Sequence, residues 1–389
     1  MKSKKAIVAL VASFGLLFWG ASATSAASVP NVPMQKSLGK GEGALNLIVW
    51  AGYAENGSND KTVDWVNPFT KATGCKVNAK TAGTSDEMVS LMKTGGYDGV
   101  SASGDASLRL IYGGQAAPVN TSLVPNYATI SSFLKDQKWN SVNGQMYGVP
   151  HGWGANVLAY NPAKVKKPTS WSVVFDPKSP YKGKITAYDS PIYIADAAVY
   201  LMAKDPKLGI KNPYALDAKQ LDAAVKLLKT QKTVVGEYWS DYTKSVQSFE
   251  STNTLLGSSW QVIVNTINGG KKVKIESTVP AEGATGWSDT WMISSKAKHP
   301  NCMYQWMNWI TSPSVNAQVA EYFGEAPSNQ AACTKTADKT FCDTYHAKDA
   351  AYASKIWYWT TPTSDCVDGR GNVCTDYAKW TQAWTSIKG

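Results

Sequence analysis

The sequence Leu45-Asn-Leu-Ile-Val-Trp50-Ala-Gly-Tyr53 opens the part of the chain that decides the fold. Its apolar run over 45–50 is typical of a short buried strand. Helix-like and strand-like patterns then alternate: a helix over 60–73 that Gly74 ends, a strand over 75–79, a helix capped by Ser85 that ends at Gly95, and a strand over 97–101. This alternation predicts a parallel sheet flanked by helices, the α/β class.

A second block of alternating elements follows Pro150. Strand-like stretches lie at 153–160, 183–187 and Val234-Val235, and helix-like stretches lie at 216–231, 261–268, 301–310, 314–323 and 377–387. At about 150 residues per domain, a chain of 389 residues suggests two domains or one large one.

The composition is that of a folded protein with no sign of nucleic-acid binding. Hydrophobic residues make up 43% of the chain and charged residues 17%, whereas disorder needs low hydrophobicity with high charge density. Only two of the 39 basic residues are arginines, Arg109 and Arg370. Nucleic-acid binders normally contact phosphate and guanine through arginine, so the lysine-dominated net charge of +10 argues against such a partner.

The first 27 residues have the pattern of a secretory signal peptide. Three lysines precede an apolar stretch over 6–20, and small residues follow up to Ala27. The stretch is shorter than the roughly 20 residues of a membrane-spanning helix, and an uncleaved anchor is the alternative. We expect export and cleavage, and we expect the residues over 28–43 to form a flexible leader because they contain proline, glycine and serine without a period.

Six cysteines fit an exported chain with disulfides. Six cysteines allow 15 pairings. The most economical hypothesis has two local pairs and one distant pair: Cys333–Cys342, Cys366–Cys374 and Cys75–Cys302. A zinc site is the competing interpretation, but the chain has no Cys-x-x-Cys pair and His346 is the only histidine near the cysteines.

The motifs of common enzymes are missing. The three histidines, His151, His299 and His346, are far apart in the sequence, and no nucleophile elbow, P-loop or dinucleotide-binding glycine pattern occurs. We therefore expect no catalysis, no cofactor and no metal site. A secreted enzyme that acts on glycans is the enzymatic alternative, because it needs only two carboxylates and the chain has 29 acids.

Aromatic residues instead stand where an α/β sheet presents ligands, at the carboxyl ends of strands. Trp50 and Tyr53 end the first strand, Trp260 ends a strand of the second block, and Trp287-Ser-Asp289 lies where the chain recrosses. A ring face attracts an organic cation, and a carboxylate accepts hydrogen bonds from ammonium. The pattern predicts a site for a cationic amine, and the alternative is that these aromatics are core anchors.

Several stretches, in order, resemble the periplasmic spermidine/putrescine-binding proteins of bacterial ABC importers. The resemblance runs from about Leu45 to the C-terminus. The stretches that carry it are Ile48-Val-Trp50-Ala-Gly-Tyr53, Pro68-Phe-Thr-Lys-Ala-Thr-Gly-Cys-Lys-Val77, Tyr97-Asp-Gly-Val100, Tyr147-Gly-Val-Pro-His-Gly-Trp153-Gly-Ala155, Trp287-Ser-Asp289 and Gly324-Glu-Ala-Pro-Ser-Asn329.

The resemblance implies a two-lobed periplasmic-binding-protein fold, type II-like, with a mixed sheet flanked by helices in each lobe and a hinge between them. Lobe 1 is expected over 44–152 and 282–331, and lobe 2 over 153–281 and 332–389. The implied function is reversible capture of a cationic solute and its delivery to an ABC-type membrane permease. The protein is expected to be a monomer in the periplasm.

The resemblance also implies site residues. Trp50 and Tyr53 match aromatics that flank the aliphatic chain of the ligand, and Trp260 matches an aromatic of the second lobe. Asp289 matches the carboxylate that binds an amine, and Trp287 matches the aromatic two residues before it.

Three acids, Asp105, Asp189 and Glu325, complete the expected site, together with Ser103 in the loop after the third strand. Asp189 corresponds to an acid of the second lobe, but Ile192 stands where polyamine binders tend to have another acid. Asp105 stands where an aromatic is common, and Glu325 replaces a tyrosine. Either the acids have been relocated or the ligand is not a diamine, and a sugar, an amino acid, a quaternary amine or a metal chelate is an alternative cargo.

Overall fold

The computed structural model describes residues 29–389, so the signal peptide predicted over 1–27 lies outside the described residues. The strands are β1 Ala44–Val49, β2 Lys76–Thr81, β3 Gly99–Ala102, β4 Ser141–Val142, β5 Gln145–Met146, β6 Val149–Tyr160, β7 Ile185–Tyr188, β8 Val235–Trp239, β9 Leu256–Trp260, β10 Glu276–Thr278, β11 Ala284–Ile293, β12 Ala326–Pro327 and β13 Ile356–Tyr358. The helices are α1 Val66–Thr73, α2 Ser85–Lys93, α3 Gly104–Tyr112, α4 Ser172–Phe175, α5 Ile194–Lys204, α6 Ala218–Gln231, α7 Tyr242–Glu250, α8 Gln261–Gly270, α9 Pro300–Ile310, α10 Pro313–Phe323, α11 Phe341–Thr344, α12 Ala350–Ala353 and α13 Tyr377–Lys388. Within residues 29–389, none of these helices has the length and apolar character needed to cross a bilayer.

Strand β1 lies between β2 and β3, and all three run parallel. Leu45, Leu47 and Val49 pack into one hydrophobic core, whereas Ile48 packs into a second core on the opposite face. Because both faces of β1 are buried at its carboxyl end, its last three residues, Leu47-Ile-Val49, form an apolar run rather than an alternating pattern. The predicted strand–helix–strand beginning of an α/β fold is confirmed.

Two long strands, β6 and β11, lie side by side and antiparallel in the middle of a mixed sheet with the order β2-β1-β3-β11-β6-β9-β7-β8. Residues 290–293 of β11 pair with β3, and residues 156–160 of β6 pair with β9. The two strands therefore connect lobe 1, built on β2-β1-β3, to lobe 2, built on β9-β7-β8. This is the two-lobed architecture that the family resemblance implies.

The C-terminal segment returns to the middle of the sheet and then packs on lobe 2. Strand β13 pairs in parallel with residues 284–286 of β11. Helix α13 is attached to lobe 2 through the indole N–H of Trp384, which donates to Asp189 at 3.0 Å. The exact boundaries between the two lobes stay a prediction.

The first two helices begin differently from the prediction, for reasons that their N-terminal contacts show. The first helix, predicted to begin at Asp60, begins at Val66, because an Asp60 carboxylate oxygen accepts both the N–H and the hydroxyl of Thr62, at 2.8 and 2.7 Å. Such a local turn competes with helix formation. The second helix is capped by Thr84, whose hydroxyl oxygen accepts a backbone N–H of the first turn, and not by Ser85.

The three disulfides have the predicted pairing, Cys75–Cys302, Cys333–Cys342 and Cys366–Cys374. The first joins the entrance of β2 to α9 within lobe 1. The other two close loops of the C-terminal segment with sequence separations of 9 and 8 residues.

The segment before β1 has an irregular backbone but is tied to lobe 1. The carboxylate of Glu42 accepts the backbone N–H groups of Asn301 and Cys302 in the first turn of α9, at 2.9 and 3.0 Å. The side-chain oxygen of Asn301 accepts the N–H of Gly39 at 2.7 Å. Part of the predicted flexible leader is thus bound at a helix N-terminus, where a negative charge is favourable.

Candidate functional site

A buried acidic cluster lies where the end of β1 meets the two central strands. It consists of Tyr53, Asp289 and Glu325, whose exposed fractions are 0%, 2% and 0%. All three are predicted site residues, and they come from distant parts of the chain: Tyr53 follows β1, Asp289 lies in β11 and Glu325 follows α10.

Asp289 is positioned by an irregularity in β11. The register of the β11–β6 pair shifts between Asp289 and Thr290, and such bulges change the direction of nearby side chains. Tyr53 Oη donates to Asp289 Oδ2 at 2.7 Å, and the hydroxyl of Ser103 donates to Asp289 Oδ1. The carboxylate is therefore fixed by side chains that follow the carboxyl ends of β1 and β3.

Glu325 lies on the other side of the Tyr53 phenol. Its Oε2 is 2.8 Å from Tyr53 Oη, and its Oε1 is 3.2 Å from Nε2 of His151. Gly152 of β6 lies against this carboxylate, so closely that a Cβ on Gly152 would stand 2.0 Å from the carboxyl carbon. The close approach of Glu325 to the central strand therefore requires glycine at this position.

The cluster contains two carboxyl groups and no permanent positive charge of its own. The Tyr53 phenol has one proton, so it can donate to only one of the two carboxylates at a time. Burial lowers the pKa of His151 to about 3, which leaves this histidine neutral at pH 7. Burial raises the pKa of Asp289 to about 7. Burial, with the charge of Asp289 as a second cause, raises the pKa of Glu325 well above its usual range. At neutral pH the cluster therefore favours holding a proton or a cation.

Aromatic rings extend from the acidic cluster towards lobe 2. We call them the ring ladder, and its members are Tyr53, Phe323, Trp287, Trp260, Tyr188 and Trp359. In that order, successive ring centroids are 4.3, 6.1, 6.5, 5.6 and 5.8 Å apart. These are the spacings of packed aromatic pairs. The ladder brings the predicted residues Trp260 and Trp287 together with the acidic cluster.

The central strands position two rings of the ladder. The indole N–H of Trp260 donates to the side-chain oxygen of Asn156 at 2.9 Å, and the amide of Asn156 donates to the hydroxyl of Thr285 at 2.6 Å. Trp287 lies over Gly154, where a Cβ would stand 2.7 Å from the ring. Both β6 and β11 therefore determine where these rings lie.

Asp105 and Trp50 also lie on lobe 1. Asp105, in the first turn of α3, is 2% exposed and accepts the Ser85 hydroxyl at 2.9 Å. Burial raises the pKa of Asp105 to about 6, against the opposing effects of Ser85 and Arg109. Trp50 is half-buried against the same hydrophobic core as Tyr53, and its indole N–H has no acceptor among the described residues. The ligand-binding roles of both residues stay predictions.

Asp189 is not part of the acidic cluster. Its carboxylate accepts the indole N–H of Trp384 and the ammonium of Lys388, each at 3.0 Å, and both donors belong to α13. The Lys388 Nζ also lies 3.6 Å from the centroid of the Tyr238 ring. The structure therefore gives this predicted site acid a partner within lobe 2, while the other three predicted acids lie on lobe 1.

Sequence reasoning missed four members of this arrangement: His151, Phe323, Tyr188 and Trp359. His151 stands inside the stretch Tyr147-Gly-Val-Pro-His-Gly-Trp153 and Phe323 directly precedes Gly324, so the neighbouring motifs could have indicated both. Trp359 follows β13 in a segment without a motif, and only the fold shows that it stacks on Tyr188.

Other candidate places do not contain the predicted ligand residues. One surface cavity of about 430 Å³ lies beside Tyr304, and another of about 440 Å³ lies beside Trp139. Cys366, Asp368 and Cys374 are close enough to one another to surround a metal ion. Their two cysteines form a disulfide, however, so they offer no thiolate ligand.

Comparisons with known proteins agree with the geometry. The putrescine-binding periplasmic protein SpuD of Pseudomonas aeruginosa is 25% identical over 307 residues, which cover 75% of this chain and 79% of that protein. The spermidine/putrescine-binding periplasmic protein of Escherichia coli is 27% identical over 309 residues, which cover 75% and 83%. A solved structure described as a putative spermidine/putrescine ABC transporter from Listeria monocytogenes has a TM-score of 0.71 at 18% identity and covers 89% of this chain and 99% of its own.

The family model of the bacterial extracellular solute-binding proteins matches residues 64–364, which is more than half of the chain. The match includes both central strands, the acidic residues of the cluster and most of the ring ladder. The chain belongs to the bacterial extracellular solute-binding protein family.

Proposed function

We propose that this protein is the solute-binding component of an ABC importer and that it reversibly captures a polyamine or a related cationic amine. The observation that carries the proposal is the acidic cluster. Its two buried carboxyl groups share one phenol proton beside a neutral histidine, so an ammonium group supplies the charge that the cluster lacks. Relatives that are named for binding putrescine or spermidine support the same ligand class.

The ring ladder suits the rest of such a ligand. An ammonium near a ring face gains about 0.5–2 kcal/mol from cation–π attraction, and alkyl carbons gain from packing on the same rings. The ladder begins at Tyr53, which also contacts both carboxyl groups. A ligand that places its ammonium at Asp289 therefore lays its chain along the rings towards lobe 2.

Closure of the two lobes completes the site. The guanidinium of Arg109 in α3 lies 4.4 Å from the centroid of the Tyr377 ring in α13. The N–H and the hydroxyl of Thr361 both donate to the carbonyl of Gly104, at 2.9 and 3.1 Å. These contacts join lobe 1 to the C-terminal segment, and opening the cleft about β6 and β11 breaks them. Closure also excludes water and thereby strengthens the ion pair.

The proposed partner and location follow the family. Solute-binding proteins of ABC importers work with a membrane permease, and the two curated relatives are periplasmic proteins. With the signal peptide predicted over 1–27, we infer export to the periplasm, where the protein acts as a monomer and presents its closed form to the permease.

Two alternative functions predict different experimental results from amine binding. A sugar, an amino acid, a quaternary amine or a metal chelate could occupy the same fold, and a glycan-active enzyme would turn its substrate over. Family membership favours binding over turnover.

The test is isothermal titration calorimetry on protein that has been unfolded, dialysed and refolded to remove retained solute. We expect saturable binding of putrescine or spermidine at one site per chain, with no response to maltose. Small-angle scattering should show a more compact protein when the amine is bound. Absence of heat with every amine, or release of product from a glycan, would contradict the proposed function.

A further inference from the structure

Trp260, the predicted site residue on lobe 2, is attached to the central strands through its indole N–H. An indole N–H donates and cannot accept, so the side-chain atom of Asn156 that lies 2.9 Å from it is the amide oxygen. The amide nitrogen of Asn156 then faces Thr285 and donates to its hydroxyl oxygen at 2.6 Å. This chain of hydrogen bonds therefore runs in a fixed direction, from Trp260 through Asn156 to Thr285.

The chain lies on the side of the central strands that carries the proposed site. The Trp287 ring lies over Gly154, where a Cβ would stand 2.7 Å from it, so both residues face the same side. Side chains alternate along a strand, so Asn156, two positions after Gly154, and Thr285, two positions before Trp287, share that side. Asp289, two positions after Trp287, shares it as well.

A buried acid of α5 lies at the end of the chain. Asp196 is 6% exposed, and its Oδ1 has no hydrogen-bond partner among residues 29–389. The side chain that hydrogen-bonds to this carboxyl group is Thr285. Because the Thr285 oxygen accepts from Asn156, its proton is left to donate to Asp196. Burial raises the pKa of Asp196 to about 8 against the effect of this hydrogen bond, so at pH 7 the group serves mainly as a neutral acceptor.

We propose that Asn156, Thr285 and Asp196 are positioning residues that hold the Trp260 ring in the orientation in which it contacts the bound amine. Rotation of the ring breaks its bond to Asn156, and it also changes the contacts of Trp260 with its neighbours in the ring ladder. The inference rests on the proposed function, because it assumes that the amine packs on Trp260. It goes further by giving a lobe 2 acid a role in binding that depends on its acceptor oxygen and not on its charge.

Asp196→Asn and Asp196→Leu form a matched pair for calorimetry with putrescine and spermidine. The two side chains are similar in size, but asparagine keeps an oxygen that accepts from Thr285 and leucine does not. We expect Asp196→Asn to bind as the wild type does and Asp196→Leu to bind about three- to tenfold more weakly, the usual range for one lost hydrogen bond. Equal affinities in the two variants would overturn the role of Asp196 and leave the proposed function intact. A wild-type protein that bound no amine would contradict the proposed function itself.

A double-mutant cycle separates positioning from a general loss of stability. Thr285→Val removes the hydroxyl, and Trp260→Phe removes the N–H at the other end of the chain. We expect Thr285→Val to weaken amine binding about three- to tenfold in the wild type and less than about twofold in Trp260→Phe, because the chain then holds no indole. Thr285→Ser should bind as the wild type does. An equal loss in both backgrounds, or an equal loss with serine, would overturn the inference.

The indole N–H of Trp260 reports on the ring without any ligand. Its nitrogen–proton NMR signal is the indole signal that is missing from Trp260→Phe. We expect its hydrogen exchange to be at least about tenfold faster in Thr285→Val and unchanged in Thr285→Ser. The internal control is Trp309, whose indole donates to the Trp65 carbonyl at 3.0 Å outside the ring ladder and should exchange at the wild-type rate in both variants. An unchanged Trp260 rate in Thr285→Val, or the same acceleration at Trp309, would overturn the inference.

Discussion

The acidic cluster on lobe 1 and Asp189 on lobe 2 place carboxylates in opposite surroundings. On lobe 1, Asp289 and Glu325 are fully buried without a lysine or arginine in contact among the described residues. On lobe 2, Asp189 pairs with Lys388, and the two side chains are 33% and 30% exposed. The same residue type thus appears once as an unbalanced buried acid and once as an ordinary, partly exposed ion pair.

This difference separates a ligand site from a structural contact. A buried acid without a counter-charge lowers the stability of the folded protein, whereas a partly exposed ion pair changes it little. Strongly shifted pKa values beside a cleft are typical of functional sites. The acidic cluster is therefore the candidate site for a positive charge, whereas Asp189 makes a structural contact, and four predictions test the packing and the roles of these acids.

The largest effect is expected from Asp289→Asn. The amide keeps the shape of the side chain but removes the negative charge, so amine affinity should fall by about 2–5 kcal/mol, as it does when a buried charge pair loses one member. Calorimetry with the tightest amine ligand measures this loss. Asp222→Asn, on the exposed side of α6, is the matched control and should bind as the wild type does. Wild-type affinity in Asp289→Asn would remove this residue from the site.

A smaller effect is expected on stability from Gly152→Ala. The added methyl would stand 2.0 Å from the carboxyl carbon of Glu325, so the carboxylate or strand β6 must move. Overpacking of this kind lowers the free energy of unfolding by about 1–3 kcal/mol. Urea denaturation of the ligand-free protein measures the loss.

Gly269→Ala is the control for the glycine substitution. Nothing lies within 4 Å of a Cβ at Gly269, which is in α8, so this variant should be as stable as the wild type or slightly more stable. If the two alanine variants had equal stability, the close packing of Gly152 against Glu325 would not be important for the fold.

On lobe 1 the sequence was sufficient to indicate Tyr53 and Asp289, which the structure brings into contact, but not His151 and Phe323. Trp50 and Tyr53 follow a strand whose consecutive apolar residues indicate burial on both faces. Trp287 and Asp289 lie in one short motif. Local patterns of this kind predict where a side chain stands on a sheet. The disulfide pairs could also be predicted, because two of them span short loops.

The partners of Asp189 on lobe 2 could not be predicted, since they are distant from it in sequence. Lys388 pairs with Asp189 across 199 positions, and no local pattern connects them. The contact of His151 with Glu325 likewise depends on the path of β6 beside α10. The helix predicted to begin at Asp60 begins later for a different reason. The Asp60 carboxylate accepts hydrogen bonds from Thr62, and this local turn competes with the helix that the spacing of apolar residues favours.

A third prediction concerns pH. Burial raises the pKa of Asp289 to about 7, so below that pH a proton occupies the group that an ammonium must contact. Amine affinity should therefore rise with pH up to about 7, by at most about tenfold per unit for one proton, and then level off. Calorimetry in buffers of different ionisation enthalpy should detect proton release on binding at pH 6. Affinity that is constant from pH 5 to 7.5 would contradict a protonated cluster.

Binding, and not stability, is the appropriate measurement for this effect. Between about pH 4 and 7, the raised pKa of Asp289 makes the folded protein hold more protons than the unfolded chain, so stability falls as pH rises. The pKa of His151, lowered to about 3, has the opposite sign: the unfolded chain holds the extra proton, and stability rises with pH from about 3 to 6.5. The two contributions oppose each other in the same interval.

The smallest effect is expected from Asp189→Asn, which separates the two kinds of acid most directly. The pair with Lys388 is about one-third exposed, so its loss should lower the free energy of unfolding by only about 0.2–1 kcal/mol. Because the carboxylate is directed to α13 and not to the acidic cluster, amine affinity should stay within twofold of the wild type. A tenfold loss of putrescine affinity would mean that Asp189 leaves Lys388 to bind an ammonium, and the contrast between a ligand-binding acid and a structural one would not hold.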